Sequence, residues 1–76
     1  MKYFLICNKY TENVKIKEEF SSYEISCRIV NLLVKVLNIN IEECNVINHL
    51  DIYYISDKIK VIDIIVCNED NINNFI

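Results

Sequence analysis

The residues best equipped for chemistry are His49, the chain's one histidine, and Asp51 two positions on. With any of Cys7, Cys27, Cys44 or Cys67 they nominally compose a thiol–imidazole–carboxylate set. Such a set works only when a sharp turn or helix N-terminus holds the thiol against the base. No cysteine here has that context: each lies in its own apolar segment, and no CxxC or other close ligand pair occurs. The cysteines therefore read as small buried hydrophobes, and neither a zinc site nor a disulfide framework is expected.

Asp63 raises a different question, because IKVIDIIVC surrounds it with apolar side chains. No second carboxylate stands near it in sequence for acid–base work. The plainer reading is a charge on the less buried face of a strand, where it discourages wrong sheet pairing. The functional alternative is a specific pair with a Lys or Arg on a partner protein.

A third set is basic. Lys15 and Lys17 alternate along one extended segment and Lys58 and Lys60 along another. With Lys9, Tyr3 and Tyr10 they could grip single-stranded nucleic acid through charge and stacking. Against this, Glu12, Glu18 and Glu19 lie close by in sequence and the net charge is −3.

These groups must be carried by elements the pattern defines. KYFLICN (2–8) and VKIK (14–17) read as an N-terminal hairpin around a polar turn. FSSYEI follows, with Phe20 before the cap, Ser21 as N-cap and Glu24 at the third helical position. Ile25, Ile29, Leu32, Leu33, Val36 and Leu37 then recur at helical spacing, which predicts a helix over 22–37 closed by Asn38. Residues 39–50 suit either a helical turn capped by Asn40 or short extended pieces. DIYYIS (51–56) and IKVIDIIVC (59–67) form a second hairpin, and NEDNINNFI either closes as a short helix or frays.

The expected fold is a single α+β domain over 1–76. It is a small antiparallel sheet with one main helix packed on it, in the order β-β-α-β-β. Short helices are possible in 40–50 and at the C-terminus. A chain of this size buries only about 60% of the surface its unfolded form exposes, so its core is marginal. One helix covers one sheet face, yet three strands are apolar on both. The second face is closed either by the connector and tail or by another molecule.

Composition narrows the rest. There is no Gly, which removes every phosphate-cradling loop of the P-loop or Rossmann kind. Positions of positive φ then fall to Asn, with Asn8, Asn13, Asn38, Asn40 and Asn68 as candidates. The chain holds 15 Ile and 11 Asn and no Ala or Pro, a bias toward AT-rich codons that suits a viral, phage or mobile-element source. No stretch reaches the roughly 20 apolar residues of a membrane span, and the N-terminus reads as a strand and not a signal peptide. A cytoplasmic protein without membrane contact is expected.

Together these readings point to a non-enzymatic protein-binding module without cofactor or metal. It would form a homodimer, bind a host protein, or both, and inhibit or modulate that host protein through a sheet face or an acidic surface. The expected contact residues are Tyr3, Tyr53, Val61, Asp63 and Ile65. The alternative is a nucleic-acid-binding module using Lys9, Lys15, Lys17, Lys58 and Lys60, though the charge balance makes nucleic acid the poorer partner. A structural subunit of a larger assembly comes third.

Overall fold

A computed structural model describes residues 1–57 and 62–76. It contains strands β1 (Tyr3–Lys9), β2 (Val14–Phe20), β3 (Cys44–His49), β4 (Ile52–Asp57) and β5 (Ile62–Asn68). The helix α1 (Tyr23–Val36) stands between β2 and β3. The strands form one antiparallel sheet in the order β2-β1-β5-β4-β3, so the fold is α+β as the pattern predicts. The ambiguous connector resolves into both of its possibilities. Asn40 caps a 3-10 turn at Ile41–Glu43, accepting from the Glu42 amide at 3.2 Å, and Cys44–His49 then extends as the added strand.

The helix begins one residue later than its sequence suggests. Ser22, and not Ser21, is the N-cap, with its hydroxyl accepting from the Ile25 amide at 3.4 Å. Glu24 therefore does not take the third position, and the box with Ser21 does not form. The inward stripe rotates to match. Tyr23, Ile29, Val30, Leu33, Val34 and Leu37 meet the first core, whereas Ile25, Leu32 and Val36 point outward. Packing decides this, because α1 carries apolar residues on well over half its circumference and periodicity alone leaves the orientation open. Ser26 is fully buried, and its hydroxyl donates back to the Ser22 carbonyl at 2.9 Å.

The helix ends as expected at Asn38, which adopts φ 55° in place of a glycine. The Ile39 amide reaches the Val34 carbonyl at 3.0 Å and the Asn38 amide the Lys35 carbonyl at 3.2 Å. That is a Schellman closure, and Ile39 and Val34 complete it by packing on the same core. Asn13 likewise takes positive φ, in the β1–β2 turn. Among the described residues the third such position falls to Leu50 and not to Asn8, Asn40 or Asn68.

Two cores lie on opposite sides of the sheet. On the helix side Leu5, Cys7, Ile55, Ile62, Ile64 and Val66 pack beneath Val30. On the other side Ile6, Ile65 and Cys67 are covered by Ile72, with Phe4, Tyr54 and Phe75 around them. The tail therefore closes the second face while the connector does not, since it has joined the sheet. Asn68 and Asn71 hold the tail in place reciprocally. The Asn68 side chain accepts from the Asn71 amide at 3.1 Å, and the Asn71 side chain accepts from the Asn68 amide at 2.9 Å.

Candidate interaction surface

On the helix side, tyrosines fasten the β3–β4 hairpin tip to the body. Tyr3 and Tyr23 meet with ring centroids 5.8 Å apart at 60°. The Tyr3 hydroxyl donates to Asp51 at 3.4 Å and the Tyr23 hydroxyl to Asn48 at 3.0 Å. Burial, followed by its contact with Cys27, pushes the Tyr23 phenol up to about 12. Tyr53 pairs with Asn48 in the ladder and packs half-buried on the same core.

On the tail side, Asp63 falls in a polar row across the sheet, Lys15–Asn8–Asp63–Ser56–Asn45. Its Oδ2 accepts from the Tyr10 hydroxyl at 2.6 Å. Its Oδ1 is shielded from solvent and has no hydrogen-bond partner among the described residues. Ile65 is buried beneath the tail.

The residues expected to form one contact surface are thus divided. Tyr3 and Tyr53 lie on the helix side and Asp63 and Ile65 on the other, with Ile65 inside the chain's own core. The period-2 alternation of β5 had put Asp63 and Ile65 together. What the sequence left open is which of their faces matches that of Tyr3 and Tyr53, and strand pairing sets that. Val61 lies outside the described residues.

The lysines divide in the same way. Lys15 and Lys17 share the tail side of β2, while Lys9 lies in a helix-side row and pairs with Glu12 at 2.7 Å. Lys17 sits over the Phe4 ring, 5.2 Å from its centroid, and Lys2 takes Glu19 at 3.5 Å. Lys58 and Lys60 lie outside the described residues. Of the acids, Glu19 and Glu69 both meet Lys2. Glu18 and Glu19 belong to one sheet edge and Glu42 and Glu43 precede the other, about 19 Å away at four strand spacings.

The nominal catalytic set is not assembled around a nucleophile. Cys7 and Cys67 are buried on opposite sides of the sheet, and desolvation pushes both thiols up. Burial also raises the half-buried Cys27. Asp51 accepts from Tyr3, and His49 stands exposed at the end of β3. Among the described residues no group of His, Cys, Asp and Glu is placed to hold a metal ion, and no helix is long and apolar enough to cross a membrane.

The most distinctive surface is one the residue-by-residue reading missed. The sheet's two edges differ in kind. β2, VKIKEEF, carries Lys15, Lys17, Glu18 and Glu19, and charges of this sort blunt an edge against pairing. β3, CNVINH, has no Lys, Arg, Asp or Glu, pairs among the described strands with β4 alone, and is exposed from Asn45 to His49. Val46 is 42% exposed, Ile47 54% and Leu50 80%. Leu50 also holds φ 44°, a left-handed conformation that a branched side chain adopts at a cost. The available signal was the charge-free run from Cys44 to Leu50, which becomes meaningful only once that segment is known to be an edge. Compared with known protein families, with curated proteins and with solved structures, the chain shows no significant match.

Proposed function

We propose that this chain is a non-enzymatic protein-binding module whose contact is the open β3 edge together with Val46, Ile47 and Leu50. The supporting observation is the asymmetry of the edges. One is charged, while the other, over Asn45–His49, has no strand beyond it among the described residues and carries exposed apolar side chains. An extended segment of another polypeptide would add to the sheet there, with backbone hydrogen bonds supplying affinity and the apolar neighbours selectivity. By occupying a segment of its partner the chain would modulate or inhibit that partner. The lysine surface supports nucleic-acid binding less well, since Lys2, Lys9 and Lys17 are engaged locally.

Selection of random extended peptides on the immobilised chain tests this reading. Enriched peptides should bind the parent chain, lose binding to Ile47→Lys, and keep it with Lys15→Glu on the far edge. Peptides that bind Ile47→Lys as well as the parent would place recognition elsewhere and sink the proposal.

A further inference from the structure

The two cores are closed by covers of different strength. Over the helix-side core lies α1, 14 residues long, with its ends leading to β2 and β3. Over the tail-side core lies a 3-10 turn of three residues, Ile72–Asn74, with no side-chain cap at its start. A turn this short has no stability of its own, so packing must hold it.

Hydrogen bonding sharpens the contrast. Up to Asn71 the tail is clamped to the sheet. Besides the Asn68–Asn71 pair, the Glu69 amide donates to the Lys2 carbonyl at 2.9 Å and the Lys2 amide to Glu69 Oε1 at 3.2 Å. From Ile72 onward the bonds stay within the tail. The Asn74 amide donates to the Asn71 carbonyl and the Phe75 amide to that of Ile72, each at 3.0 Å. Among the described residues no hydrogen bond joins 72–76 to a strand; Ile72 and Phe75 pack on the core, and Ile76 is exposed.

We infer that residues 72–76 are a lid that swings on the Asn68–Asn71 clamp while the sheet and the helix-side core stay folded. Opening leaves the β1–β5 ladder, the Lys2–Glu69 contact and α1 in place. It uncovers Ile6, Ile65 and Cys67, each at most 4% exposed when the lid is shut. Ile6 lies opposite Ile65 and Phe4 opposite Cys67, so the uncovered strip is continuous across the two strands. The closed state hides an apolar surface and a thiol together, and the open state presents both.

Cys7 supplies an internal control. It lies on β1 opposite Ile64 and is equally well buried, but under α1. Opening of the lid exposes Cys67 and leaves Cys7 covered, whereas global unfolding exposes both.

The test is alkylation of these two thiols by iodoacetamide in a Cys27→Ser/Cys44→Ser background. Each rate is divided by the rate of the same thiol in the urea-unfolded chain. On that scale Cys67 should react at least about tenfold faster than Cys7. Below the unfolding midpoint its rate should stay nearly flat with urea while that of Cys7 climbs steeply, because only global unfolding exposes much surface. Val30→Ala weakens the helix-side core alone, so it should speed Cys7 about tenfold or more and leave Cys67 within about twofold. The urea series needs no core variant and decides the matter if Val30→Ala does not fold. Cys67 no faster than Cys7, or both climbing together with urea, overturns the inference, since the tail would then open only with the whole domain. Cys67 as fast as in the unfolded chain overturns it too, because the tail would not be covering it.

Discussion

The Tyr10 hydroxyl donates to Asp63 Oδ2 at 2.6 Å, joining the β1–β2 turn to the central strand β5. Asp63 is therefore not a free surface charge, since a phenol is its partner among the described residues. Tyr10→Phe removes that partner and leaves a half-buried carboxylate with neither oxygen bonded among the described residues. A loss of about 1 kcal/mol is expected by urea denaturation. Asp63→Asn in the same background should recover part of it, and no recovery would show that the charge is not the source of the cost.

Tyr3, Tyr10, Tyr23 and Tyr53 all have phenols raised above their ordinary value. Burial leads for Tyr3, Tyr23 and Tyr53, and the bond to Asp63 leads for Tyr10. A raised phenol contributes stability that is complete below its unfolded pKa of about 10 and is lost as pH climbs through the folded value. For Tyr23 that value is about 12. Stability should accordingly fall between about pH 10 and 12, followed by phenolate absorbance together with circular dichroism. Phenols that ionise well before the fold opens would refute the linkage.

The one-residue shift of the helix cap has a direct consequence. Ser22→Ala should cost about 1 kcal/mol, because the Ile25 amide loses its acceptor. Ser21→Ala should stay within about 0.5 kcal/mol of the parent. Equal costs would favour the cap at Ser21.

The tail covers the second core, so Ile72→Ala should cost about 2–4 kcal/mol. It should also open Cys67 to a thiol reagent that in the parent reaches Cys27 and Cys44 first. Cys67 labelling at the parent rate would mean that the tail does not shield this face.

Leu50 holds φ 44° while the residue is 80% exposed, so the isolated chain gains nothing visible from that strain. Leu50→Gly should stabilise the monomer by about 1 kcal/mol. Destabilisation of the monomer would show that the leucine is held by its own chain.

The local instructions were written plainly in the sequence. The hairpin from KYFLICN to VKIK, the helix closed by Asn38, the second hairpin and the α+β class each follow from residue periodicity and turn chemistry, which act over a few positions. Tertiary structure alone decided the rest. Whether 44–49 coils or extends depends on β4 offering a free edge, and the inward stripe of α1 depends on the sheet it meets. Asp63 and Ile65 were separable from Tyr3 and Tyr53 only after β5 had paired with β1 and β4, because a strand's alternation fixes two faces but not which side of the molecule each one joins. The charge-free β3 edge is the same case. Its residues are ordinary in sequence, and only the strand order leaves their backbone groups without a neighbour.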